Sequence, residues 1–192
     1  MTALPEPRAL RPVETGLGVL VHPTADRRLA VEHWLASAHK APERAQQEWR
    51  TTGMTLLPMG TLLSAVRLPA SLVVTMAGGR APSKHTDAFL DEVLEGPVIC
   101  DPRHEQYYAL VPASMPATWH QAAEEWSAND DVECLGRGFY LGVPRVDRLE
   151  PGHDIHASYW SVSMPSAGTL CAPLSVARLI AAARAVSEEA PE

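Results

Sequence analysis

The chain is expected to be an α+β protein with a largely antiparallel sheet covered by helices, and three observations predict this. Stretches with apolar residues at helical spacing alternate with short apolar runs bounded by Gly and Pro, in the order helices, hairpin, helices, hairpin, helix, strands, helix. The chain holds 17 Pro and 12 Gly, enough to punctuate many short elements. It is 46% apolar and 20% charged over 192 residues, a globular composition long enough for one full core.

Residues 1–15 read as a flexible N-terminal arm, because Pro5, Pro7 and Pro12 cannot sit inside a helix. Residues 16–186 read as a single α+β domain and residues 187–192 as a frayed acidic tail. The run from Gly16 to His22 is a strand or a docked part of the arm. Thr24 caps a helix to about His39, with Leu29, Trp34 and Leu35 as its buried stripe. Pro42 suits the first turn of a second helix ending near Trp49.

Met54 to Gly60 and Thr61 to Leu68 read as a hairpin around a Pro/Gly turn. Ala70 to Ala77 is a helix closed by Gly78 and Gly79. Ser83 or Thr86 caps the next helix, with Phe89, Leu90, Val93 and Leu94 inward and Gly96 as its stop. Pro97–Cys100 and Tyr107–Val111 form a hairpin. Pro116 opens a helix with Trp119, Ala123 and Trp126 on one face. Val132–Leu135 and Phe139–Val143 are strands across Gly136-Arg137-Gly138, and Tyr159–Ser163 is another. The four strands from residue 97 to 143 are expected in one sheet. Pro173 starts a final helix with Leu174, Leu179, Ile180 and Ala183 inward.

Charge and cysteine content bound the function. No window is apolar enough to span a membrane, and residues 1–14 lack the apolar centre of a signal peptide, so the cytoplasm is the expected location. Cys100, Cys134 and Cys171 are odd in number and form no CxxC pair, which argues against a disulfide framework or a zinc ribbon. Net charge is -7, and residues 51–192 hold 17 acidic against nine basic side chains. Such a body repels phosphate, so a protein partner is favoured over nucleic acid. Arg27, Arg28, Lys40, Arg44 and Arg50 are the residues expected at any phosphate-facing surface.

Several clusters carry candidate chemistry. His153 and His156 are spaced so that two imidazoles share one cation, with Asp154 or Glu150 adding oxygen, and a divalent metal is the one cofactor considered. The segment has no third nitrogen or sulfur at a fixed spacing, so a solvated Pro/Gly loop is the favoured reading. Asp101-Pro102-Arg103-His104-Glu105 puts both charge signs in a hairpin connection, a functional loop or an ordinary polar turn. Cys100 lies four residues from His104, but a dyad needs them paired in space. The glycines around Arg137 either let a backbone approach a phosphate or simply permit a turn. No GxSxG, P-loop, HExxH or GxGxxG motif is present.

The segment Val132-Glu133-Cys134-Leu135-Gly136-Arg137-Gly138-Phe139-Tyr140-Leu141-Gly142-Val143-Pro144, followed by Tyr159-Trp160, resembles the end of a bifunctional primase–polymerase domain. The hairpin from Pro97 to Val111 is similar to that family's middle strands. The resemblance implies a primase–polymerase-like fold over about residues 50 to 182, with His104 near the family's histidine motif and Glu133 at its last carboxylate. The family's two-metal chemistry also needs an acidic pair on an earlier strand, and Met54 to Leu68 contains no acidic residue. The chain therefore reads as a degenerate member without nucleotidyl transfer, acting as a binding or regulatory domain. Its expected cleft residues are His104, Glu133, Arg137 and Tyr140. The alternatives are an enzyme using His104 and Glu133, and a metal-binding regulator using His153 and His156.

Overall fold

A computed structural model of the chain describes residues 13–16, 19–21, 24–151 and 154–189. Among these residues lie nine strands and seven helices, an α+β arrangement. The central layer is a five-stranded antiparallel sheet in the order β7-β4-β6-β5-β9. Its strands are β4 (Leu63–Pro69), β5 (Val98–Asp101), β6 (Gln106–Pro112), β7 (Glu133–Leu135) and β9 (Tyr159–Val162). A second, two-stranded sheet pairs β3 (Met54–Pro58) with β8 (Tyr140–Pro144), and β1 (Val13–Gly16) pairs with β2 (Val19–Val21).

The five-stranded sheet is buried on both faces, which is why its strands read as near-continuous apolar runs. Val66, Leu68, Val98, Cys100, Tyr107, Ala109 and Val111 face one core. That core is closed by α3 (Ala70–Ala77), α4 (Lys84–Leu94), α6 (His120–Asn129) and α7 (Pro173–Glu189). Alternate residues Leu63, Ala65, Ile99, Leu110 and Trp160 face a second core, closed by α1 (Thr24–Ala36), α2 (Pro42–Thr52) and the β3–β8 pair. Trp49 of α2 is fully buried there, and its indole Nε1 donates to the Val143 carbonyl at 2.9 Å, tying α2 to β8.

Helix ends follow local chemistry. Ser83 caps α4 by accepting from the Thr86 N–H at 3.2 Å. Pro42 stands in the first turn of α2, and Gly53 and Gly78 close α2 and α3 in the left-handed conformation. The stop of α4 is Glu95, itself left-handed at φ 49°, one residue before the expected Gly96. Gly96 serves another purpose: a Cβ there would stand 2.6 Å from the Cys171 backbone nitrogen, so the glycine lets the segment leading into α7 pass against β5.

Several expectations are corrected. Residues 54–68 are not a hairpin, because β3 pairs with β8 and β4 with β6 and β7. Residues 132–143 are not one either: β7 stays in the five-stranded sheet and β8 leaves it, so the four strands from 97 to 143 do not share one sheet. Both apparent turns are crossings between sheets, which local sequence cannot distinguish from hairpins. Leu29 is 49% exposed, and Val31, Leu35 and Ala36 form the buried stripe of α1. Leu174 is also exposed, and Val176 takes its place in the core. The helix begun at Pro116 is broken at Trp119 into α5 (Met115–Thr118) and α6. Helix α7 runs through Glu189, into the stretch expected as a tail, and β1 lies within and just beyond the stretch expected as an arm. The remaining residues of that arm lie outside the described residues.

The junction of α4 with β9 is polar. The Asp87 carboxylate accepts from the Ser161 hydroxyl and from the Tyr159 phenol at 3.2 Å. Burial raises the Asp87 carboxyl above its ordinary value of 3.8, against the lowering effect of those two donors. A carboxyl raised on folding adds stability below its ordinary value and loses it as pH climbs through the raised one. Asp87→Asn keeps an acceptor for both hydroxyls. It is expected to match or exceed the parent in urea midpoint at neutral pH, and that advantage should shrink as pH falls toward the ordinary value.

Candidate ligand-binding cleft

One row of residues crosses the five-stranded sheet on its second-core face. In register it runs Glu133 of β7, Arg67 of β4, Tyr108 of β6, Ile99 of β5 and Trp160 of β9. Cross-strand partners in an antiparallel sheet point to the same side. Toward β9 this face is covered by apolar packing. Toward the β5–β6 turn it opens into a cleft of about 460 Å³.

The five-stranded sheet supplies Asp101, Tyr108 and Leu135 to the cleft, and the β5–β6 turn supplies Arg103 and His104. Met54, Tyr140 and Gly142 of the β3–β8 pair form the facing wall, and Arg148, Asp154 and His156 close one end. Gly142 permits the close approach of this wall's own side chains, since a Cβ there would meet the Met54 sulfur at 2.8 Å. The Arg148 guanidinium lies against Gly53, at 3.5 Å from where a Cβ would stand.

The electrostatics within the cleft divide into held and free charges. The His104 Nδ1 donates to Asp101 at 2.8 Å, so the imidazole is oriented by the carboxylate. Burial raises the Tyr108 phenol above its ordinary value, the Asp101 and Glu133 charges raise it further, and Arg67 opposes them. Tyr108 is therefore a neutral ring with a hydroxyl at ordinary pH. Arg103 is exposed, and no protein carboxylate within salt-bridge distance holds either Arg103 or Arg148 among the described residues.

His104 and Tyr140 were both expected in a cleft, and the fold brings them to the same one. Glu133 and Arg137 do not line it. Glu133 is bound to Arg67 at 3.0 Å, two strands away from Tyr108. Arg137 is exposed in the crossing between β7 and β8, where its backbone packs against Gly60. Of the metal-spaced pair, His156 lines the cleft and His153 lies outside the described residues. Among the described residues no three His, Cys, Asp or Glu side chains gather as a metal cage.

The five expected phosphate-facing residues lie elsewhere than the cleft. Arg27 and Arg28 are exposed on α1 beside Val146 and Met164. Lys40 precedes α2, Arg50 is exposed on it, and Arg44 is paired with Glu48 at 3.0 Å. Cys100 faces the helix-covered core, on the opposite side of β5 from Asp101 and its partner His104, so Cys100 and His104 form no dyad. Burial pushes the Cys100 thiol up to about 12, which keeps it protonated.

Tyr108 and Arg148 are cleft residues that the sequence did not single out. Tyr107 and Tyr108 are adjacent, and strand alternation sends one to each face, but only the register with Arg67 shows which one meets the cleft. Arg148 sits in a turn after β8, with no local pattern to mark it. No protein-family model matches the chain, and no curated protein or solved structure matches it significantly. No helix among the described residues is long and apolar enough to cross a membrane.

Proposed function

We propose that the chain is a non-catalytic binding domain that takes an anionic ligand with a flat ring, of the nucleotide class, in the cleft lined by its five-stranded sheet and its β3–β8 sheet. The observation that carries this reading is the lining: two guanidiniums with no carboxylate partner among the described residues (Arg103, Arg148), two imidazoles (His104, His156) and two phenols (Tyr108, Tyr140) around one space. Guanidiniums recognise phosphate through charge-assisted, often bidentate bonds. Phenol rings supply stacking surfaces for a base.

The non-catalytic part rests on the strand that faces the cleft side. On that face β4 presents Ala65 and Arg67, where two-metal transfer needs carboxylates. Glu133 is already engaged by Arg67. These features agree with a degenerate primase–polymerase-like domain.

Calorimetric titration with ATP and dGTP, in the absence of divalent metal, tests the reading. Binding is expected to weaken about tenfold or more in Arg103→Ala/Arg148→Ala, because each lost charge-assisted bond is worth roughly 1.5–3 kcal/mol. Incubation with primed template, nucleotides and Mg²⁺ or Mn²⁺ is expected to yield no extension. Equal affinity in the double variant would remove the cleft as the site. Metal-dependent synthesis abolished by Glu133→Ala would overturn the non-catalytic reading.

A protein partner is a second reading, favoured by a different observation. Leu56 is 58% and Tyr140 60% exposed on the face of the β3–β8 pair that also carries the cleft residues Met54 and Gly142, next to the exposed Phe139. Aromatic-rich exposed patches of this kind mark protein contacts. Leu56 does not itself line the cleft, so Leu56→Asp should disrupt such a contact while nucleotide binding, measured alongside, is retained.

A further inference from the structure

Strand β9 is one edge of the five-stranded sheet, with β5 on one side and no strand on the other among the described residues. Helix α4 runs beside this edge, and a groove of about 580 Å³ opens between them. Its walls are Asp87 and Asp91 of α4, residues 161–163 at and beyond the end of β9, and Leu149 and Glu150. Trp160 gives its N–H to the Arg148 carbonyl at 2.8 Å, which closes the start of the edge. Beyond Trp160 the edge runs on along the groove.

An open strand edge is a template for another chain, and an edge flanked by a helix is a geometry that accepts an extended peptide by strand addition. Main-chain hydrogen bonds then give affinity, and alternate side chains of the peptide face the helix. The register irregularity between Val98 and Ile99 bends β9, so the added strand is short. The groove also has a sign. Asp87, Asp91 and Glu150 face it against a single cation, Lys84, whose Nζ is 3.2 Å from Glu150. The Asp87 carboxylate is fixed by Ser161 and Tyr159 and Glu150 is paired with Lys84, which leaves Asp91 to meet an incoming charge in a groove whose charges still sum to an acidic excess. Exposed Leu149 offers an apolar contact in the same groove.

We propose that the groove between α4 and β9 binds an extended peptide segment with basic side chains, which adds to the sheet as a short strand beside β9. The lining of this groove is distinct from that of the cleft, since the side chains of Arg103, Arg148, His104 and Tyr140 do not line it.

Fluorescence anisotropy of the full chain with labelled synthetic peptides tests the proposal. The probes are an acetylated heptapeptide of alternating lysine and valine, the same peptide N-methylated at alternate amides, and a glutamate–valine counterpart. The lysine–valine peptide is expected to bind. The methylated form should bind at least about tenfold more weakly, because it lacks the amide donors that strand addition needs. The glutamate–valine peptide should not bind measurably, and Asp91→Lys, at an exposed position, should weaken the parent peptide while leaving the melting temperature unchanged. Equal binding of the methylated peptide would rule out strand addition. Affinity unmoved by Asp91→Lys and Glu150→Lys would rule out this groove. Self-association of the free chain that the peptide fails to displace would assign the edge to a second copy and overturn the proposal.

Discussion

Gly60→Ala is expected to lower unfolding free energy by about 2–4 kcal/mol, combining a strained left-handed backbone with forced overpacking. Gly60 has φ +80°, and a Cβ there would stand 2.4 Å from the Arg137 backbone nitrogen and 2.6 Å from its Cα. Neither partner is a flexible side chain that could turn aside. The contact holds the crossing from β7 to β8 against the turn between β3 and β4, so it sets how the two sheets meet. Gly78 is the internal control. It has a similar φ of +67° but nothing within 4 Å of its Cβ position. Gly78→Ala should therefore show only the backbone cost, about 1 kcal/mol. Urea unfolding of both variants separates the clash from the conformational strain. Equal losses in the two would mean that the Arg137 backbone moves freely away from Gly60.

Trp49→Ala is expected to cost about 3–5 kcal/mol, the range for removing a fully buried large aromatic side chain. Trp49 is 1% exposed, and its Nε1 donates to the Val143 carbonyl at 2.9 Å. The variant loses packing in the second core and strips a bond that links α2 to β8. Trp49→Phe keeps most of the apolar volume and loses the indole donor, so it should cost about 1–3 kcal/mol. The consequence reaches the cleft, because β8 carries Tyr140 and Gly142. Nucleotide affinity is expected to fall in Trp49→Ala even at urea concentrations where the chain stays folded. A destabilised variant with unchanged affinity would show that the β3–β8 wall does not shape the ligand space.

Much of the architecture was legible in the residues. Ser83 before α4, Pro42 in α2 and Gly78 after α3 carry their signals within a few positions of the elements they bound. The hairpin of β5 and β6 was also readable, because its two strands are adjacent in sequence and pair with each other. The same logic misled at Pro58-Met59-Gly60 and at Gly136-Arg137-Gly138. Each places two strands around a turn, and in each case the strands go to different sheets. Turn residues specify a change of direction, but the partner of each strand is chosen by apolar surfaces far away in the chain. Leu29 and Leu174 failed for a related reason: each lies near the first turn of its helix, where packing of the neighbours decides which side is covered.

The candidate cleft divides in the same way. His104 and Tyr140 could be nominated because an imidazole in a charged turn and an aromatic strand end are visible locally. Their meeting depends on β8 crossing to pair with β3 opposite the β5–β6 turn. Glu133 was nominated on the same footing, and register placed it against Arg67 instead. By itself the sequence determined the fold class, the sites of most helix ends, the acidic balance of residues 51–192 and the lack of carboxylates from Met54 to Leu68. These follow from composition, short-range sterics and capping, which act over a few residues. Only the tertiary structure decided how the strands other than the β5–β6 hairpin pair, which of Tyr107 and Tyr108 faces the cleft, and that Arg148 and Arg103 share it. Those outcomes rest on burying two apolar faces of one sheet at once, a condition that couples residues across the whole chain.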